Sequence, residues 1–570
     1  MFLDQIDIVN FRGIRELSLK LDETTVLIGE NNSGKTTILE ALQICLSRSL
    51  TRRGGIFSEY DYHLPHMDSQ PVDSEGIEIT LHFVERFVDD WPDEVIQTLS
   101  NAVQICEDGR QCVVLRVNSR FDNETDGYVT IWNFLNTQGD ALPNARNPRN
   151  IIELQRLTPV FYLAALRDSA QEFRPRSPFW GPFVRSSRIS SDLREELENE
   201  LAELNEKVLS SHESFGAVKE RLSNTAKLVP LNSDEPVGIE AIPSKVFDIL
   251  SRTQVMLNST SGARLPIGRH GEGTQSLAVI CLFDAFLESR LEDSYTEYTT
   301  PILALEEPEA HLHPSATRSI AIHLHEIGSQ KIIATHSGDL VASIPLTSLR
   351  RLRRQDGDIA VFQIEEGALT EEEIRKLDYH VRSTRGSLLF ARCWLLLEGE
   401  TDCLLFEECA RIAGYDLVSG GISCIAFQQQ AGVGSFVRLA NLLGIEWLVV
   451  ADGDSSGSNY INSAARHINN RPHNRHLHQL AHGDMELFLC MNGHGSVFEE
   501  NVSPQKENNV TAENGSLKYW KQVLEAQSNK PKPQMAGEVV DKIEQEGEQG
   551  IPTQMRTILD VAVELAEETL

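Results

Sequence analysis

Two unlike phosphate-handling patterns on one chain constrain it more than any other feature. Near the start stands Gly29-Glu-Asn-Asn-Ser-Gly-Lys-Thr-Thr37; much later, Leu397-Glu-Gly-Glu-Thr-Asp402 is followed by Asp452-Gly-Asp454. The first has the glycine spacing that cradles a nucleotide's phosphates, and the second concentrates carboxylates suited to metal ions held against a nucleic-acid phosphate. At 570 residues the chain exceeds a single core and implies about two to four domains.

Charge and cysteine usage narrow the class. A net charge of −32 repels polyanions as a whole-molecule field, so any nucleic acid must meet local positive groups or bound divalent metal. Nine cysteines without a Cys-x-x-Cys pair fit neither a disulfide framework nor a zinc ribbon and point to reduced thiols in the cytoplasm. The start, Met1-Phe-Leu-Asp-Gln-Ile-Asp-Ile8, alternates like a strand, and no apolar run approaches the roughly 20 residues of a spanning helix. Export and a membrane partner are not expected.

The first pattern lies in the right setting. Strands are expected over Phe2 to Phe11, Leu17 to Leu21 and Thr25 to Ile28, the last running into the glycine loop and then a helix from Lys35 to about Ser47. Gly29 and Gly34 let the backbone of Asn31, Asn32 and Ser33 curl around phosphates, Lys35 reaches the outer phosphates, and Thr36 or Thr37 offers a hydroxyl to magnesium. A second strand, Pro301-Ile-Leu-Ala-Leu-Glu-Glu-Pro308, ends in Glu306, expected to hold magnesium through water, and Glu307, expected to polarise the attacking water. A Glu-Glu after an apolar run is commonly just a strand meeting solvent. Two neighbours argue otherwise: Lys331-Ile-Ile-Ala-Thr-His-Ser337 ends a third strand in His336, a candidate γ-phosphate contact, and Arg269-His-Gly-Glu-Gly-Thr-Gln-Ser276 opens a helix with glycines.

The order Asn10-Phe-Arg-Gly13, Walker A loop, glycine-rich signature, Glu306-Glu-Pro-Glu-Ala-His-Leu-His-Pro314 and Thr335-His-Ser337 resembles ABC-type ATPases of the recombination and chromosome-maintenance group. The resemblance implies that ATP is sandwiched between two heads, and it adds Arg12 to the nucleotide-binding set. Two departures stand out: Gly271-Glu-Gly-Thr-Gln275 replaces the usual Leu-Ser-Gly-Gly-Gln, and Glu306 replaces the first Walker B aspartate. They put fast turnover in doubt.

Between these motifs, Leu193, Leu197, Leu201, Leu204 and Val208 recur three or four apart in a charged amphipathic helix within Ser191 to Lys227. Such a stripe is expected to be buried, either against its own head or, as in similar ATPases, as a dimerisation arm; Arg174 to Arg188 would be its linker. Arg350, Arg351, Arg353 and Arg354 form either a phosphate-contacting patch or an interdomain face.

The second pattern belongs to another α/β unit. The strand Cys393-Trp-Leu-Leu-Leu-Glu398 leads into Gly399-Glu-Thr-Asp402, and Glu446-Trp-Leu-Val-Val-Ala451 delivers Asp452-Gly-Asp454, whose glycine is expected to turn both aspartates toward one ion; His482-Gly-Asp-Met-Glu486 adds acid. A single such acid is more often a solvated turn, but two strands ending this way point to convergence. The crowd of His467, His473, His476, His478 and His482 lacks the spacing or cysteines of a zinc site and fits a solvated or phosphate-contacting loop better.

These residues resemble the Toprim domain, with Glu398 in place of its glutamate and Asp452 and Asp454 in place of its metal-binding aspartates. An ABC-type ATPase followed by Toprim is similar to the overcoming-lysogenization-defect (OLD) family of nucleases over nearly the whole chain. The expected architecture is α/β: a split ATPase head at 1–175 and 256–385, a helical insertion at 176–255, and a Rossmann-like Toprim unit at 386–570. The resemblance implies that Lys532, with Lys530 as fallback, steadies charge on the scissile phosphate. It implies two-metal hydrolysis of DNA with Glu398, Asp402, Asp452, Asp454 and Glu486 as ligands to magnesium, or manganese instead, and antiphage defence as the setting. A homodimer or higher homo-oligomer is implied, with an operon-encoded helicase or reverse transcriptase and its RNA or DNA as a further partner. Two alternatives stay open: a non-cutting ATP-driven clamp or sensor, and a topoisomerase-like enzyme using Tyr460 as nucleophile.

Overall fold

The computed structural model describes the chain apart from residues 48–55, 65, 67–68, 123–126, 144–145, 165–188, 212, 227–238, 251–254, 259–261, 263, 290–295, 356, 385, 429–431 and 570. The expected linker from Arg174 to Arg188 lies outside the described residues.

The strand feeding the glycine loop, Thr24–Gly29, sits inside a six-stranded sheet. Its order is Asp358–Gln363, Leu349–Gln355, Thr24–Gly29, Gln330–Ala334, Ile302–Glu306, Val160–Leu163. All neighbours pair in parallel except the Asp358–Gln363 edge, which forms an antiparallel hairpin with Leu349–Gln355. Parallel strands are covered on both faces, which is why residues 302–305 and 332–334 are apolar runs buried without half-exposed alternation.

Side-chain direction then sorts two cores. Val26, Ile28, Leu303, Leu305 and Ile333 face one cluster. Leu27, Ile302, Ala304 and Ile332 face the other, where an antiparallel N-terminal sheet contributes Leu3, Ile79 and Leu115.

A second, all-parallel sheet has the order Ile422–Ala426, Cys393–Leu397, Glu446–Ala451, Leu477–Gln479. Trp394, Leu396, Trp447 and Val449 join the first core of the head, so the two sheets share one apolar cluster. Trp394 and Trp447 are fully buried. At roughly 25 cal/mol per Å² and about 200 Å² per ring, each contributes about 5 kcal/mol of gross burial. Leu395, Leu397, Leu448 and Val450 face the opposite way, onto Val539 and Ile543 of the helix Lys532–Glu546 and Ile558 and Leu559 of the helix Thr553–Glu567.

The arginine strand is an interdomain fastener and not a phosphate patch. Arg350 and Arg351 are each only 4% exposed. Arg351 donates to the carbonyls of Leu443, Gly444 and Ala391 at 2.9–3.0 Å, and Arg353 donates to Gly444 at 2.9 Å. Arg350 turns the other way, to Asp22 at 2.5 Å, and Arg354 reaches the carbonyls of Gly13 and Asn32. Arg350 and Arg351, buried and bonded to carbonyls and to Asp22, are withdrawn from any polyanion.

The helix expected within Ser191 to Lys227 forms as two, Ser191–Ser210 and Glu213–Ala226; none of the residues of the first is buried, and Leu193 and Leu204 are 45% and 47% exposed. Its apolar stripe is therefore only partly covered by the rest of the described chain: Leu197, Leu201 and Val208 are half-buried beside the helices Glu213–Ala226 and Val246–Leu250, while Leu193 and Leu204 stay exposed. All nine cysteines are free thiols. Among the described residues, no helix is long and apolar enough to cross a membrane.

Candidate active site

The head site is built where three parallel strands end side by side. The loop after Thr24–Gly29 turns through left-handed backbone at Asn32 (φ 63°) and Gly34 (φ 92°) into the helix Lys35–Leu46. A cavity of about 320 Å³ is lined by Asn31, Asn32, Ser33, Gly34, Lys35, Thr36, Thr37, Glu306, Glu307 and His336. Gly29 lies just behind it, where a Cβ would come 2.3 Å from the Leu352 carbonyl oxygen.

Lys35 is folded back onto the loop, its Nζ donating to the carbonyls of Gly29 and Glu30 at 3.0 and 2.8 Å and to Ser33 Oγ at 3.3 Å. Burial lowers its pKa to about 8 against the pull of Glu307, Glu306 and Glu30. A phosphate would replace weak carbonyl partners with full charges. Thr36 Oγ1 donates to Glu306 Oε1, so Thr36 is the hydroxyl beside the first Walker B acid. Tyr162, at the edge strand Val160–Leu163, donates from Oη to Glu306 Oε2 at 2.9 Å. Sequence reasoning missed Tyr162, whose only signal was its place in a short apolar run.

Glu307 adopts left-handed backbone (φ 46°), which swings its carboxylate toward His336; Oε1 and Nε2 are 4.0 Å apart. Burial, then the Lys35 charge, lowers the His336 pKa, with Glu307 opposing. The expectation for Arg12 changes: its guanidinium is held by Asp61 at 2.8 Å and by Glu40, and it does not line the cavity. In the signature segment, Gly273 packs where a Cβ would meet the His311 carbonyl oxygen at 2.8 Å, and Glu272 pairs with His311 at 3.0 Å.

The second site forms at the carboxyl ends of two adjacent parallel strands. Glu398 Oε1 accepts the Asp452 backbone N–H at 2.7 Å. Asp402 Oδ2 accepts the Gly399 N–H at 3.0 Å. Gly453 lets the loop at 480–483 come close: its N–H reaches the Gly483 carbonyl at 2.5 Å, and a Cβ would lie 2.6 Å from the carbonyl oxygens of Leu480 and His482. That approach brings Asp484 and Glu486 alongside Asp452. Lys532 Nζ stands 2.6 Å from Glu486 Oε1.

The shared charge is large. Burial, then the charges of Glu398, Asp402, Asp484 and Glu486, pushes Asp452 up to about 8. Burial pushes Asp402 up to about 6, against the Gly399 N–H and with the charges of Glu486 and Glu398. Glu398 is also raised, by burial first. Partial desolvation works against Lys532, but its hydrogen bond to Glu486 and the nearby acids hold its pKa above the ordinary value.

The expectation that both aspartates of Asp452-Gly-Asp454 face one ion is not met by this arrangement. Asp454 Oδ1 caps the helix Ser455–Ala465 by accepting the Gly457 N–H at 2.7 Å. Among the described residues, no three His, Cys, Asp or Glu side chains are gathered tightly enough to grip a metal ion as they stand. Several of the acids are engaged through one oxygen each: Asp402, Asp454 and Asp484 accept backbone amides near helix starts, Glu398 accepts the Asp452 amide, and Glu486 faces Lys532. By chemistry the donor set still suits a hard divalent ion, being all carboxylate, and the mutual repulsion that raises Asp452 is what such an ion relieves. Asp484 is a further acid of this group that sequence reasoning left unnamed within His482-Gly-Asp-Met-Glu486.

Other candidates go elsewhere. Lys530 is tied to Asn501 at 2.9 Å and to Glu538. Tyr460 is half-buried and packs edge-on against Phe427 with ring centroids 5.1 Å apart, at the edge of the apolar core. His476 is buried with Nδ1 2.5 Å from the Trp447 carbonyl oxygen, and His478 faces the Arg475 carbonyl.

Residues 1–388 match the family described as a protein of unknown function, DUF2813. The chain belongs to that family. Residues 389–454 match the TOPRIM domain of overcoming lysogenization defect protein-like proteins, so the α/β head is joined to an OLD-like Toprim domain. The chain is 29% identical to the uncharacterized protein YbjD of Escherichia coli (strain K12), over 99% of each chain. It is 24% identical to the Old nuclease of Escherichia phage P2, covering 79% of this chain and 77% of that one. It is 23% identical to the endonuclease GajA of Bacillus cereus (strain VD045), covering 72% and 67%.

Proposed function

We propose that the chain is an ATP-binding, divalent-metal-dependent DNA endonuclease or nickase in antiphage defence, whose head governs a hydrolytic Toprim site. The observation that carries this is the grouping of Glu398, Asp402, Asp452, Asp484 and Glu486 around one strand end, with the Lys532 ammonium 2.6 Å from Glu486. Relatives named as nucleases over most of both chains support the same class.

Glu398, Asp402, Asp452 and Glu486 would hold magnesium or manganese, with Asp454 joining by leaving its capping bond. When bound, such ions supply an activated water and charge stabilisation on the leaving oxygen. The protein's own part is distinct. Asp452, whose pKa is raised by burial and then by its acidic neighbours, would serve as a ligand once deprotonated; Lys532, beside Glu486, would offer its ammonium to the scissile phosphate. In the head, Lys35 exchanges carbonyl partners for ATP phosphates, Glu306 and Thr36 would hold magnesium, and Glu307 beside His336 would orient water. Leu193 and Leu204, exposed on Ser191–Ser210, support a homodimer through that arm.

One observation favours the non-cutting clamp: Asp402, Asp454 and Asp484 each accept a backbone N–H near a helix start, a purely structural service. Incubating supercoiled plasmid with the full chain across magnesium and manganese concentrations separates the two. Nicked or linear product supports the nuclease; retarded but uncut DNA supports the clamp.

A further inference from the structure

Glu309, two residues beyond Glu307, is the least explained charge near the head site. It is only partly exposed, and burial raises its pKa. Its Oε1 accepts from Oγ1 of Thr335, the residue just before His336. Its Oε2 is buried and has no hydrogen-bond partner. A carboxylate oxygen left in that state costs free energy that a neutral or apolar residue would avoid, so its retention calls for a reason other than stability.

The geometry points to Glu309 as a positioning residue for ATP hydrolysis, fixing His336 against Glu307 by clamping Thr335, the residue before it. The connections run both ways across the cavity floor. Thr335 is fully buried; its N–H donates to the Leu27 carbonyl at 3.1 Å, beside the glycine-loop strand, and its Oγ1 accepts the Ser337 N–H at 2.9 Å. The Glu307 N–H donates to the Ala334 carbonyl at 2.8 Å. The strand end bearing His336 and the turn bearing Glu307 are therefore joined at two points, one backbone bond before Glu307 and the Glu309 carboxylate after it. Removing the second leaves the turn hinged on the first. Glu309 does not line the cavity, so nucleotide contacts stay intact while the distance between Glu307 and His336 loosens. This rests on the ATP-hydrolysing function proposed above for that site.

The test is steady-state ATP hydrolysis by the full chain, with nucleotide affinity measured separately using a fluorescent ATP analogue. Glu309→Ala is expected to lower kcat by as much as roughly 100-fold, the scale of a small misplacement of reacting groups. KM and analogue affinity should stay within about twofold, the signature of an interaction felt in the transition state and not in binding. Glu309→Gln, which keeps an acceptor for Thr335, is expected to restore most of the turnover. Thr335→Val, which removes the hydroxyl from the other side, should repeat the Glu309→Ala pattern and covers the case in which Glu309→Ala fails to fold. Unchanged kcat in Glu309→Ala or Thr335→Val, a loss of affinity matching the loss of turnover, or a Gln variant as slow as the Ala variant would each overturn the assignment. Glu307→Gln is the control on the underlying function: if the unaltered chain hydrolyses ATP no faster than Glu307→Gln, the ATPase reading itself fails and takes this role with it.

Discussion

Glu30 Oε1 lies 2.5 Å from Arg392 Nε, so the glycine loop of the head is ion-paired to the residue that opens the central strand of the second sheet. Arg392 is also stitched by backbone to both neighbours of that strand, donating to Gly421 O and accepting from the Glu446 N–H. Arg351, one strand away, binds three carbonyls of the same domain.

These two fasteners differ in strength. The Glu30 side chain is 51% exposed, so Glu30→Gln should cost about 0.5–1 kcal/mol. Arg351→Leu strands three carbonyl acceptors in the interior and should cost about 3–5 kcal/mol. Urea denaturation of the full chain measures both, and negligible losses in both variants would mean that the interface is held by apolar packing alone.

Asp452 sets a pH dependence in metal-free protein. Its ordinary pKa of 3.8 rises to about 8 in the fold. Between those values the native state binds more protons than the unfolded chain, so stability falls as pH rises from about 4 to about 8. Asp452→Asn should remove that slope and raise metal-free stability at pH 7.5 by on the order of 1–2 kcal/mol. Magnesium should stabilise the unaltered chain increasingly from pH 6 to 8 and leave the variant almost unmoved. Thermal unfolding with and without EDTA reads both effects.

The two candidate lysines separate by what holds them. Lys532→Met should lower cleavage by roughly 100- to 1,000-fold with little effect on folding, as expected for a charge aimed at a developing oxyanion. Lys530→Met breaks the contacts to Asn501 and Glu538 and should cost about 1 kcal/mol of stability while leaving cleavage within a fewfold. Reversed outcomes would move the role to Lys530.

Much of this was legible in the sequence because strands ending in functional residues are also the most apolar strands. Phe2–Phe11 and Thr24–Gly29 form where expected, and the helix from Lys35 ends at Leu46, one residue short of the expected Ser47. The two acidic strand ends were placed side by side by the parallel topology that their apolar runs imply. What was not legible depends on partners distant in sequence. Nothing in Leu349–Gln355 reveals that Arg351 meets carbonyls at 391, 443 and 444, and nothing around Tyr162 reveals Glu306. Asp454 reads equally well as a metal ligand or a helix cap, and capping is the local bond available to it. The stripe of Ser191–Ser210 has the right period for burial, but periodicity does not say what covers it.

Gly453 is a further steric test. A Cβ there collides with two carbonyl oxygens, so Gly453→Ala should push the loop at 480–483 outward and separate Asp484 and Glu486 from Asp452. Cleavage should fall by roughly 10- to 100-fold while ATP binding is unchanged. Near-normal cutting would show that Glu486 is dispensable.

The most direct measurement is cleavage of supercoiled plasmid with magnesium or manganese, with and without ATP, by the unaltered chain, Asp452→Ala and Lys35→Ala. Asp452→Ala should abolish cutting under every condition, while Lys35→Ala should still cut and no longer respond to ATP. Cutting by Asp452→Ala at the rate of the unaltered chain would contradict a Toprim nuclease centred on that residue.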